Sequence, residues 1–303
     1  MAGVNGGSGA GFGGHLAGAG RAMLATARDA LENPALSDAE RVHALRRAFK
    51  RWRAFLRLIA GSIGAPAEEM RTGARSLMRG LSGARDAQGA LDAIDDLAKH
   101  APTLSPRTLG TIRDRLIVSR AAAESACLTP ETRDAIAAYI GEATQAIEAW
   151  PLAEIGFAAI ADALSVTFAR ARGLNPDDWS GVDAAHLHEL RRRVVEHRHQ
   201  MELIEPLWPR VTKAWAEEAQ RLRNRLGACQ DLSVLTAFIA PHAPLARWRS
   251  RLTPAIAVRR QTHLTRASRL AGRLFAEKPK AFRKRIAALW TARKRRKAPV
   301  KHK

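Results

Sequence analysis

Cysteine, aromatic side chains and unbroken apolar runs are all scarce in this 303-residue chain, and each shortage removes a class of protein. Two cysteines, Cys127 and Cys229, stand without Cys-x-x-Cys or Cys/His ligand spacing, which excludes a disulfide framework and a zinc site. Aromatic residues make up 5% of the chain and do not interleave with the basic stretches, so no stacking platform for single-stranded bases is encoded. No alternating β-branched run is long enough for a strand. The most apolar stretch, Leu152 to Ala169, is interrupted by Glu154 and Asp162 and reads as a buried amphipathic helix rather than a membrane span. Residues 1–20 hold nine glycines and lack both the basic start and the apolar core of a signal peptide, so they are expected to form a disordered lead-in. No Gly-Lys-Ser/Thr ending follows those glycines, and Asp95-Asp96 falls in an ordinary helical pattern. Phosphoryl-transfer chemistry has no carrier of either kind, and neither an enzyme nor a cofactor is expected.

What the chain does have is positive charge and enough apolar residues to fold. Fifty Lys and Arg against 29 acids leave +21, and residues 293–303 alone contribute seven Lys or Arg and no acid. Such a surplus concentrates anions, and the candidate partners are nucleic acid, an anionic membrane and inorganic polyphosphate. A hydrophobic content of 46% over this length is enough to bury a core.

Helix signals run from residue 21 onward. Ser37-Asp38-Ala39-Glu40 is a capping box that opens a helix to about Ala60. Breaks at Gly61, Gly64 and Pro66 precede helices over 67–81 and 86–99, the second with Asp86 as its N-cap. Ser105-Pro106 and Thr129-Pro130 each put a capping hydroxyl before a proline and start helices over 106–126 and 130–150. The second half repeats the rhythm with helices over 152–172, 183–203, 209–226, 231–239, 244–271 and 279–295. The expected organisation is a lead-in at 1–20, helical units over 21–150 and 151–292, and a basic tail over 293–303. The fold class is all-α.

His-x-Leu-Arg-Arg occurs twice, as His43 to Arg47 and as His188 to Arg192, 145 residues apart. Forty-three residues after each histidine stands an aspartate, in Leu81-Ser82-Gly83-Ala84-Arg85-Asp86 and Leu226-Gly227-Ala228-Cys229-Gln230-Asp231. Two motifs in one register point to duplication. From His43, residues Arg46, Lys50, Arg53 and Arg57 follow at 3, 7, 10 and 14, which keeps them on one stripe of a helix, with Val42, Leu45, Phe49, Trp52, Leu56 and Ile59 on the opposite stripe. The second stripe is His188, Arg191, Val195, Arg198 and Glu202, flanked by Arg192, Arg193, His197 and His199. Like charges one turn apart repel by a few tenths of a kcal/mol, roughly, a cost that an anion relieves. The bland alternative is that these arginines are solvated or paired with acids on adjacent helices, and that the histidines pack between helices. Asp86 and Asp231 read as caps or arginine partners rather than catalytic acids. If His43, His188, His197 and His199 line the site, protonation below about pH 6.5 tightens anion binding.

With Glu40-Arg41-Val42-His43-Ala44-Leu45-Arg46, its second copy within 185–203 and both Leu-x4-Asp elements, the chain resembles the CHAD domain, the conserved histidine α-helical domain, from about Ala39 to Trp290. The resemblance implies two pseudo-twofold-related antiparallel four-helix bundles whose basic helices line a groove or pore that binds inorganic polyphosphate. It implies a cytoplasmic location on polyphosphate granules, in a stand-alone form without a triphosphatase domain. The implied ligand contacts are His43, Arg46, Arg47, Lys50, Arg53 and Arg57 in the first copy and His188, Arg191, Arg192 and Arg198 in the second. Val195 stands opposite Lys50, and Gln230 opposite Arg85, so the two halves differ at the implied site. Nucleic-acid binding through the basic surface is the alternative.

Overall fold

The computed structural model describes residues 11–81, 85–124 and 128–297, and in them the chain forms eleven α-helices and no strand. They are α1 (Phe12–Glu32), α2 (Asp38–Ile63), α3 (Ala65–Gly80), α4 (Arg85–His100), α5 (Pro106–Glu124), α6 (Pro130–Ala149), α7 (Phe157–Gly173), α8 (Ala184–Leu203), α9 (Pro209–Phe238), α10 (Arg249–Leu274) and α11 (Pro279–Lys297). None is long and apolar enough to cross a membrane.

Local chemistry explains most of the starts. Ser37 Oγ accepts from the Glu40 amide at 3.3 Å while Glu40 Oε2 accepts from the Ser37 amide at 2.9 Å, so the capping box satisfies two backbone donors of α2. The hydroxyls of Ser105 and Thr129 accept from the amides three residues on at 3.2 and 3.3 Å, ahead of the prolines that begin α5 and α6. Asp183 caps α8 through the His186 amide at 2.7 Å.

Four expectations change. The glycine-rich start is helical from Phe12, with Phe12, Leu16 and Gly20 buried; residues 1–10 lie outside the described residues. The glycines serve close packing: a Cβ on Gly13 would lie 2.1 Å from the Leu152 carbonyl oxygen, and one on Gly20 2.7 Å from Ile147 Cδ1. The expected helices over 209–226 and 231–239 are one helix, α9, so Asp231 is not a cap but a side chain in mid-helix. Asp86 likewise lies inside the first turn of α4. Residues 293–297 continue α11, and of the expected tail only 298–303 fall outside the described residues. Smaller shifts are 3-10 turns at Leu152–Glu154 and Ala246–Trp248, which precede α7 and α10; residues 125 and 126 of the fifth expected helix are outside the description.

The two cores do not coincide with the two halves of the chain. The larger draws on both, with α2 packed on α1 and α3 and also against α7 and α8. The smaller joins Leu91, Ile94 and Ile112 of α4 and α5 to Leu232, Leu235, Leu252 and Ile256 of α9 and α10. These cross-half contacts bring the duplicated helices α2 and α8 side by side.

The apolar stripe of α2 is anchored by the chain's one tyrosine. Trp52 Nε1 donates to Tyr139 Oη at 2.8 Å, and that hydroxyl donates to the Met70 carbonyl at 2.8 Å, tying α2 to α6 and α3 inside the core. Tyr139→Phe strands a buried indole N–H and removes a side-chain donor to the Met70 carbonyl, and it is expected to lower stability by about 1–3 kcal/mol in urea unfolding. A variant as stable as the parent would show that this link contributes nothing to holding α2.

Candidate functional site

Along α2 the basic stripe is set into the protein rather than on it: Arg46, Lys50, Arg53 and Arg57 are half-buried, whereas His43 and Arg47 are exposed. Around Lys50 the packing of α2, α4, α8 and α9 gathers Arg46, Arg85, Arg191 and Arg223. Burial, then the charges of Arg191, Arg46, Arg223 and Arg85, drive the Lys50 ammonium down from 10.5 to about 7. Burial and the neighbouring Arg223, Arg85 and Arg46 also lower Arg191, to about 10, against the pull of Asp231.

Asp231 acts on this group as a counter-charge, attracting Arg191, Arg85 and Arg223. Burial nevertheless raises its carboxyl to about 6, assisted by Asp92, against the attraction of those three arginines. Its place in mid-α9 is made by small neighbours: a Cβ on Gly89 of α4 would sit 3.1 Å from Asp231 Oδ1, and one on Gly227 would be in contact with the Arg191 guanidinium at 3.4 Å. Gln230, at the position duplicated by Arg85, accepts from Arg191 Nη1 at 2.9 Å and lies 3.1 Å from His188 Nδ1. Arg46 donates to the Leu81 carbonyl at 2.6 Å.

A second group continues along the stripe. Burial lowers Arg53 and Arg57; Glu196 pulls both back, while Arg71 opposes both, Arg192 and Arg75 oppose Arg53, and Arg170 opposes Arg57. Arg57 also lies 3.8 Å from Glu68. The buried Nε atoms of Arg53, Arg57 and Arg191 have no hydrogen-bond partner among the described residues. On α8 the pattern differs: Arg192 pairs with Glu189 at 2.7 Å, Arg193 with Glu189 and Glu196 at 2.6 and 3.0 Å, and Arg198 with Glu202 at 2.6 Å. Arg51, on the other side of α2, also reaches Glu202, at 3.3 Å.

The structure thus brings together Arg46, Lys50 and Arg191 most tightly, keeps Arg53 and Arg57 adjacent, leaves His43 and Arg47 at the surface, and neutralises Arg192 and Arg198 locally. It adds Arg85, Arg223, Arg71, Arg75 and Arg170, of which only Arg85 carried a signal, as the counterpart of Gln230. The histidine expectation is corrected. His197 is buried against Phe168, Phe275 and Phe282, and burial, with Arg285, lowers it to about 4. His199 is buried against Glu202 at 2.9 Å, and burial lowers it. His43 and His188 are lowered too, by burial and then, for His43, by Arg47 and Lys50, while the Gln230 contact of His188 works the other way. All four rings therefore take up a proton at a lower pH than a free imidazole. Among the described residues no group of three or more His, Cys, Asp or Glu could hold a metal ion.

Residues 16–240 match the model of the CHAD domain. Among solved structures the chain is similar to the crystal structure of the CHAD domain from the plant Ricinus communis, with 18% identity, a TM-score of 0.55 and 92% of each chain covered. It is also similar to PptA from Streptomyces chartreusis, with 19% identity, a TM-score of 0.59, and 92% of this chain and 99% of that one covered. Among curated proteins none matches.

The crowding at Lys50 has a sign that can be measured on the protein alone. The unfolded chain keeps this proton to about 10.5 and the folded chain to about 7, so in between the folded state binds fewer protons. Its destabilising contribution is complete below pH 7 and is relieved as the pH rises toward 10. Stability is expected to climb from pH 7 to pH 9.5 in chemical unfolding, with a flatter profile in Lys50→Met. Identical profiles for the two proteins would show that Lys50 is not crowded.

Proposed function

The chain belongs to the CHAD domain family, and we propose that it binds inorganic polyphosphate at the cationic group on α2, α4, α8 and α9 without transforming it. The observation that supports this most is the convergence of Arg46, Lys50, Arg85, Arg191 and Arg223 with Asp231 as their counter-charge. Polyphosphate is a thin chain with roughly one charge per phosphate and no bases, so closely spaced guanidinium and ammonium groups suffice to hold it. Half-buried arginines with unpartnered Nε atoms offer forked donors to phosphate oxygens, and α3 extends the track with Arg71 and Arg75 beside Arg53. Counterions released from the polymer drive association, and it weakens steeply with salt.

In this reading the ligand also raises the affinity of Lys50 for its proton, because a phosphate charge offsets the arginines that drive the proton off. Location on cytoplasmic polyphosphate granules follows as the setting where such a ligand is abundant. Nucleic acid is the alternative ligand. The bases of a duplex hold its phosphates on the outside of a wide cylinder, which suits a half-buried group of cations less well than a bare chain does.

Lys50→Glu separates this proposal from a merely structural role. A carboxylate among four arginines relieves repulsion, so the variant is expected to unfold at a higher temperature than the parent while binding polyphosphate at least ~10-fold more weakly in moderate salt, with the salt slope reduced by roughly one to two. Duplex DNA should displace polyphosphate poorly from the parent. Undiminished polyphosphate binding by a stable Lys50→Glu protein, or easy displacement by DNA, would reject the proposal.

A further inference from the structure

The net charge of the chain does not reside where the cationic group is. Residues 1–240 hold thirty Lys or Arg against 28 acids and are close to neutral. Residues 241–303 hold the other twenty Lys or Arg and one acid, Glu277, so they carry nearly all of the +21. Between Asp231 and Glu277 there is no acid at all, and that segment includes the whole of α10.

On α10 the arginines divide by direction. Those turned into the protein have partners: Arg259 grips Asp96 of α4 through two bonds, at 2.5 and 2.7 Å, beside His263 at 2.9 Å, and Arg260 donates to the Val182 carbonyl. Those turned outward do not. Arg266 and Arg269 are exposed and make no hydrogen bond or ion pair among the described residues. They border two adjoining shallow clefts, one along α10 with Gln261, Thr262 and Thr265, the other shared with Arg221 and Arg225 of α9. Arg225 also makes no hydrogen bond or ion pair among the described residues, and burial followed by Arg266 and Arg259 lowers it, against the pull of Asp96. Arg221 is held by Glu218 at 2.8 Å, the one acid in an ion pair with these four arginines among the described residues.

The helix α9 relates this face to the cluster already described. Residues two apart on a helix lie about 200° around the axis from each other. Arg223 points to Lys50 and Arg191, whereas Arg221 and Arg225 point to the α10 clefts. The two cationic faces are therefore back to back across one helix, a body roughly 10 Å wide.

We propose that the α9/α10 face is a second polyphosphate contact, so that one long chain engages Lys50 and its arginines and then Arg225, Arg266 and Arg269 on the far side of α9. This rests on the proposed ligand of the first group and adds a second site for it. A flexible polymer a few tens of phosphates long spans the width of α9 easily, and its second contact is intramolecular. Tethering of that kind raises apparent affinity by about 10²–10⁴ where the geometry allows both contacts. Chains too short to span gain nothing.

The test compares short and long polyphosphate, with affinity expressed per phosphate, on the full chain and on Arg266→Gln/Arg269→Gln. Both residues are exposed, so the fold is not at stake, and circular dichroism verifies it. The parent is expected to bind long chains at least ~10-fold more tightly per phosphate than short ones. The double variant should lose that advantage and keep the short-chain affinity unchanged. A length advantage that survives the double substitution overturns the second site alone. So does a double variant that loses duplex DNA binding but keeps its polyphosphate length dependence, which would assign the face to nucleic acid. A parent that fails to bind short chains, or binds long and short chains equally, overturns the two-contact arrangement; in the first case it also rejects the reading of the Lys50 group.

Discussion

The arrangement of this molecule turns on holding like charges together inside a packed helical body. Lys50 sits among Arg46, Arg85, Arg191 and Arg223, and both desolvation and repulsion act against its charge. Apolar burial provides the opposing force. The stripe of α2 opposite the cations, with Leu45, Phe49, Trp52, Leu56 and Ile59 in the core, commits the helix to a single rotation. Once that stripe is inside, Lys50 and Arg53 are held half-buried beside the neighbouring arginines. The same logic applies to α9, where Leu222, Leu226 and Leu232 are buried and Arg223 is carried inward with them. Cations brought together by the packing of their own helices form a preorganised group, one that needs no rearrangement to meet an anion.

The strain has three available outlets, and they compete. Lys50 can release its proton, Asp231 can hold its negative charge against burial, or an external anion can enter. Asp231 alone is a weak remedy, since burial lifts its carboxyl to about 6 in spite of three arginines. An arriving polyanion serves all the cations at once, and part of its binding energy is repulsion that it removes. The duplicated helices share this task unequally. On α8, Glu189, Glu196 and Glu202 already neutralise Arg192, Arg193 and Arg198, and Val195 stands where α2 has Lys50. On α2, Glu196 pulls on Arg53 and Arg57 and Glu68 lies 3.8 Å from Arg57, while Lys50 stays crowded by four arginines, one of them Arg191 of the second copy, which Gln230 positions.

Much of this was legible in the chain because the signals are local. The capping box at Ser37, the Ser-Pro and Thr-Pro starts and the 3, 7, 10, 14 spacing on α2 each depend on a few neighbouring residues, and each appears in the structure. The two helices that carry the repeated motif, α2 and α8, pack side by side. The failures have one physical source, the inability of sequence to say what a glycine or a charged residue faces. Glycines at 13 and 20 looked like disorder and are close contacts between helices. Gly227 fell between two expected helices and lies within a continuous one, beside an arginine. His197 sat among basic residues in sequence but a turn of the helix carries it into an aromatic core. Arg223 and Arg170 belong to no repeated motif, and only tertiary packing reveals which charges they approach.

The distribution of charge finally separates two properties that a single figure of +21 merges. A chain whose first 240 residues nearly balance still contains a strongly cationic group, because α2, α4, α8 and α9 bring arginines together around Lys50. Local concentration of that kind acts over a few ångströms, where partial burial weakens screening by salt. The acid-poor stretch after Asp231 does something different: its outward arginines and α11 produce a field that reaches solvent, raises encounter rates with any polyanion and is screened within about 10 Å at 0.1 M salt. Under the proposed function, net charge governs how often an anion arrives, and the geometry around Lys50 governs how firmly it is held. The two can vary independently, which is why pI by itself says little about what a basic protein binds.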